Sequence, residues 1–144
     1  MNAYSVLKGK HQEEVDNFPM KFAFSNEQFE KAMAEFGLTP NDTDKIYKFG
    51  NSGGLYLRTD SERLFEMIKR HDKELEDAIA SDMTGEGFIL DMFNYELANH
   101  EYSYTHNVQN ALDALCMDIE LVKKDHRLSH GLMLAKQKQL EEES

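Results

Sequence analysis

Every run that reads as a β-strand lies in the first 58 residues, and from Thr59 onward apolar residues recur at helical spacing. That asymmetry excludes a βαβ alternation, and with it a doubly wound parallel sheet. Residues Pro19-Met20-Lys21-Phe22-Ala23-Phe24 predict a strand over about 19–24, with Met20, Phe22 and Phe24 on one face and Pro19 at its start. Lys45–Phe49 and Leu55–Arg58 flank the loop Gly50-Asn51-Ser52-Gly53-Gly54 and predict a hairpin over about 45–58. A helix over 3–17 precedes them, with Val6, Leu7 and Val15 as sparse anchors. Ser25-Asn26-Glu27-Gln28 is a capping box for a helix through Phe36, and Gly37 closes it.

Beyond the hairpin, Thr59-Asp60-Ser61-Glu62 is a second capping box. It opens a helix to about Ala80 whose inner face carries Leu64, Ile68, Leu75 and Ile79. Thr84-Gly85-Glu86-Gly87 interrupts the chain, a helix over about 87–101 follows, and two or three shorter helices fill 106–142. The last residues, 139–144, are expected to fray. The fold class is therefore α+β. A small antiparallel sheet packs with five to seven helices, the C-terminal half is mostly helical, and the whole forms a single domain over 1–144.

Composition narrows the function. Sixteen Lys and Arg oppose 27 Asp and Glu, a net charge of −11. Direct binding to nucleic acid or to an anionic membrane needs a basic footprint that this chain lacks. No apolar run approaches the roughly 20 residues of a membrane span. The N-terminal residues do not read as a secretory leader, so a cytoplasmic location is expected. Nine Phe and six Tyr supply the means for a packed core. The single cysteine, in Ala114-Leu115-Cys116-Met117, excludes an internal disulfide and is expected to be a buried, inert thiol. Between Asp60 and Glu101 twelve carboxylates oppose four basic residues, so −8 of the charge falls in that stretch.

No phosphate loop, dinucleotide fingerprint, zinc-protease helix, nucleophile elbow or calcium loop is present. The glycine-rich loop at 50–54 joins two strands and does not open onto a helix, so turn chemistry accounts for it. The most informative segment is Phe88–His100. At 100° per residue, Ile89, Met92, Phe93 and Leu97 share an apolar arc, and Glu96, Asn99 and His100 fall inside it. Asp91, Asn94 and Glu101 take the solvated side. A carboxylate and an imidazole at i, i+4 aimed at a core must find partners, so a buried polar network is the favoured reading. The alternative is a carboxylate–histidine metal centre of Glu96, His100 and His106, or a general acid–base couple. His126 and His130 repeat the i, i+4 spacing on the face away from Leu128, Leu132 and Ala135 and read as solvated. Tyr95, Tyr102 and Tyr104, beside Glu101, are candidate partner-binding residues, because tyrosine is enriched at interface centres.

The runs Asn17-Phe18-Pro19-Met20-Lys21-Phe22-Ala23-Phe24-Ser25, Thr84-Gly85-Glu86-Gly87-Phe88-Ile89 and Tyr95-Glu96-Leu97-Ala98-Asn99-His100-Glu101-Tyr102 resemble an uncharacterised family of small acidic proteins of gut Bacillota and their phages and mobile elements. The resemblance implies a bacterial or phage cytoplasmic setting and assigns no residue a role. These observations lead to a non-catalytic interaction protein with a protein partner and no cofactor. In its specific form, a phage or mobile-element accessory protein uses an acidic surface to bind or inhibit a basic, nucleic-acid-binding partner. The alternative is a small metal-dependent hydrolase built on Glu96, His100 and His106.

Overall fold

The computed structural model describes residues 1–143. Its helices are α1 (Ala3–Asp16), α2 (Asn26–Glu35), α3 (Ser61–Ser81), α4 (Phe88–Asn99), α5 (Tyr102–Thr105), α6 (Gln109–Ala114), α7 (Ile119–Lys124) and α8 (His126–Glu143). Its strands are β1 (Met20–Phe22), β2 (Ile46–Phe49) and β3 (Gly54–Leu57). The α+β class and the mostly helical C-terminal half are as expected. The described residues group into two compact units, one of residues 13–72 and one of residues 1–12 with 73 onward. Both boundaries fall inside helices, α1 and α3.

In the unit of residues 13–72 the sheet has the order β1-β3-β2, antiparallel throughout. Directly opposed residues share a face of such a sheet. Lys21, Leu55 and Lys48 are in register on one side, and Met20, Tyr56 and Tyr47 on the other. Leu55 and Ile46 form a small core with Ala32 and Met33 of α2. The other face carries Phe22 and Phe49, which align across Gly54. A Cβ on Gly54 would stand 2.9 Å from Met20 Sδ and 3.3 Å from the Phe22 ring, so the bare glycine makes room for both.

The capping box at α2 forms, one step displaced from the ideal. Ser25 Oγ accepts from Gln28 N at 3.1 Å, while Gln28 Oε1 accepts from Phe24 N at 2.7 Å. That second bond takes Phe24 off the sheet ladder, which is why β1 ends at Phe22 and not at 24. Phe22 is 55% exposed, because α2 covers the opposite face of the sheet, and Phe24, off the ladder, is 75% exposed. The helix ends as predicted. Gly37 takes φ +78, with Leu38 N bonded to Met33 O and Gly37 N to Ala34 O. The second capping box does not open α3 at Thr59. Arg58–Asp60 folds as a 3-10 turn, and Asp60 pairs with Arg63 at 3.1 Å.

In the other unit α4 is the central element. Ile89, Met92, Phe93 and Leu97 are all fully buried, and α8 lies along them with Leu128, Leu132 and Ala135. Gly131 permits that approach, since a Cβ there would meet Ile89 Cγ2 at 2.6 Å and Gly85 O at 2.7 Å. The loop before α4 is tied by Asp82, whose carboxylate accepts from Thr84, Gly85, Gly87 and Ile89 backbone N–H groups at 2.9–3.2 Å. Burial alone would raise the Asp82 pKa, but these four N–H groups together hold it below the usual aspartate range. Two expectations fail at the ends of this unit. Val6 is exposed, and the buried anchor of α1 is Tyr4. Nor does the chain fray from residue 139: α8 continues to Glu143, and Gln139 is buried with its Nε2 donating to Asn94 Oδ1 at 2.7 Å. Ser144 lies outside the described residues.

Candidate functional site

Glu96 is 1% exposed on the third turn of α4, inside the apolar arc as its helical phase requires. Its Oε1 accepts from Lys8 Nζ at 2.9 Å and from Tyr4 OH at 3.2 Å. Lys8 and Tyr4 are an i, i+4 pair on α1, so a single helical face delivers both donors. The Lys8 ammonium also lies 5.0 Å from the centre of the Tyr95 ring and 5.8 Å from that of Tyr4. Tyr4 packs against Phe88 and Tyr95 at 6.0 and 5.5 Å. Its phenol is pushed well above the usual tyrosine range, first by burial and then by the adjacent Glu96 charge and hydrogen bond. Asp91 secures the start of α1 on the same helix, accepting from Ala3 N at 2.8 Å through its side chain and from Asn2 Nδ2 at 2.9 Å through its carbonyl.

The second carboxylate oxygen of Glu96 is different. Among the described residues Oε2 is buried and finds no hydrogen-bond partner, and His100 Nε2 stands 3.7 Å away. The His100 side chain is partly exposed and forms the open corner of the cluster. Chemically, the arrangement holds a carboxyl group against one lysine and one phenol, with an imidazole 3.7 Å from its second oxygen.

The periodicity of α4 locates Glu96 correctly but misplaces two neighbours. Asn99 is exposed, because it is the last residue of the helix and His100 leaves helical geometry at φ −106. Asn94, expected in water, is half-buried by its bond to Gln139. Periodicity also misses the partners on α1, although the Tyr4-x-x-x-Lys8 spacing is visible in the chain.

The remaining candidates scatter. Tyr95 belongs to the Glu96 cluster, Tyr102 is buried at 5% in the core, and Tyr104 is 79% exposed beside exposed Glu101. Both ends of the α5 turn take left-handed backbone, Glu101 at φ 55 and His106 at φ 54. His106 packs on Tyr102, at 6.0 Å between ring centres. Among the described residues no group of three or more His, Cys, Asp and Glu could hold a metal ion, so the triad Glu96, His100 and His106 is not assembled. His126 and His130 stack at 6.3 Å with a 7° interplanar angle, and His130 Nε2 reaches Glu86 at 3.8 Å.

Cys116 is exposed, contrary to expectation. It is the left-handed residue, φ 55, that closes α6. Met117 N bonds to Leu112 O, and Cys116 N to Asp113 O. A residue in that closing position points off the helix end, so its apolar neighbours in sequence do not cover it.

Residues 3–138 match DUF7659, a family of unknown function. The chain belongs to that family. The matched span takes in the Glu96 cluster, the α5 turn and the sheet of this DUF7659 protein. No curated protein and no solved structure matches it. No helix among the described residues is long and apolar enough to cross a membrane.

Proposed function

We propose that this DUF7659 protein acts by binding a basic protein partner through the α5 turn and the carboxylates around it. One observation carries the reading. A four-residue turn is bracketed by two left-handed non-glycine residues, anchored by buried Tyr102, and presents Tyr104 at 79% exposure next to Glu101. Left-handed backbone at such residues costs roughly 1–2 kcal/mol each and is concentrated where geometry serves function. A rigid aromatic side chain held out from a strained turn fits an interface anchor. The unit that carries it holds 15 carboxylates against eight Lys and Arg, a net charge of −7, which favours a basic partner and salt-sensitive association.

Affinity capture with the wild-type chain and with Tyr104→Ala/Glu101→Lys tests this reading. Capture should recover a basic protein from wild type at low salt, lose most of it at high salt, and lose it in the double variant. Equal recovery by wild type and variant, unchanged by salt, would refute it.

A further inference from the structure

The unit of residues 13–72 contains a cleft of about 800 Å³ between the hairpin and the segment that leads into α2. Phe29, Ile46 and Leu55 line its apolar part, and Phe24 stands at its rim, 75% exposed. Among the described residues Lys48 is the one charged residue that lines it. The rest of the lining is neutral, in a chain with 27 carboxylates. Among the described residues Lys48 forms no ion pair, whereas neighbouring Lys45 has Asp42 at 3.9 Å and Lys21 has Glu35 at 3.2 Å. Residues 45–58 contain three cations and no carboxylate.

The wall of the cleft is preformed. Ser52 Oγ donates to Phe49 O at 2.6 Å and accepts from Gly54 N at 3.1 Å, which fixes the hairpin loop. Phe24 lies against Gly53, at φ +79, where a Cβ would meet its ring at 2.5 Å. An exposed aromatic ring seated on a glycine, with a lysine that forms no ion pair among the described residues lining the same apolar cleft, is complementary to a molecule with both a flat apolar body and a negative group. The volume lies within the range of about 300–1,000 Å³ typical of small-molecule sites.

We infer that this cleft binds a small aromatic anion, its ring against Phe24 and the apolar floor and its charge against Lys48. The shared chemistry is an aryl body with a phosphate or a carboxylate. The probe is 1-anilinonaphthalene-8-sulfonate, titrated into the ¹⁵N-labelled full chain, with uncharged N-phenyl-1-naphthylamine as its partner. The anionic probe should saturate one site and shift the amides of Gly50, Asn51, Gly53 and Gly54. Lys48→Gln should weaken it roughly tenfold, the size of one charge-assisted contact, and change the neutral probe less than about twofold. Phe24→Ala should weaken both, and its side chain is exposed enough that folding is retained. Competition then identifies the source. Displacement by adenosine 5′-monophosphate assigns the anion to phosphate, and displacement by N-acetyl-phenylalaninate assigns it to carboxylate. Displacement by neither overturns the inference. So do shifts confined to other residues, or equal losses of the two probes in Lys48→Gln with the fold intact.

Discussion

Replacing Lys8 by Met tests whether the Glu96 cluster is a coupled structural network. The substitution keeps the aliphatic stem over Tyr4 and Tyr95 but removes the countercharge from a carboxylate that is 1% exposed. A hydrogen bond to a charged group contributes about 1.5–3 kcal/mol, and stranding a fully buried charge costs about 3–5 kcal/mol. Lys8 is itself 45% exposed, so water can follow the vacated ammonium to Oε1, and the lower figure applies. The expected loss is about 2 kcal/mol. Glu96→Gln should cost less, about 1 kcal/mol, because the amide keeps the volume, still accepts from Tyr4, and leaves Lys8 free to turn into water. In the Glu96→Gln background no buried charge remains to be stranded, so adding Lys8→Met should cost under about 0.5 kcal/mol. Urea denaturation of wild type, the two single variants and the double variant closes the cycle. Additivity within about 0.5 kcal/mol, or Glu96→Gln as the most damaging change, would refute the coupling.

Particular contacts set four further outcomes. Phe93→Ala, at a fully buried position on α4, should lose about 3–5 kcal/mol by the same assay. Gly85→Ala should be more damaging than any surface glycine substitution, because Gly85 sits at φ +87 and a Cβ would stand 2.2 Å from the Arg127 carbonyl; circular dichroism melting compares it with Gly9→Ala, which meets nothing within 4 Å. Asp82 has a folded pKa below its ordinary 3.8, so its contribution is present above that value and lost as pH falls through the lower folded one; melting from about pH 5 to pH 2 should flatten in Asp82→Asn relative to wild type. Cys116 should react fully with a thiol reagent in the native protein, and Cys116→Ser should leave the melting temperature unchanged.

What local chemistry decides was readable from the residues. The helical arc of α4 follows from a period of 3.6, the α2 caps from a serine and a glycine at the right offsets, and the hairpin from two β-prone runs around a glycine-rich loop. The burial of Glu96 belongs to the same class, since its phase on one helix suffices to aim it inward. Which face of the sheet α2 covers could not be read this way. Met20, Phe22 and Phe24 look like an inner face until Leu55 is seen to take that role, because alternation names two faces without saying which is buried. The partners of Glu96 lie 88 and 92 residues away on α1, a helix whose apolar residues give little indication of where it docks. Cys116 and His106 turned on the sign of one backbone angle at residues other than glycine, which no spacing rule encodes. Sequence periodicity set the elements and most of their inward faces. Tertiary packing alone decided which groups meet across the chain, because those contacts depend on how whole faces fit together.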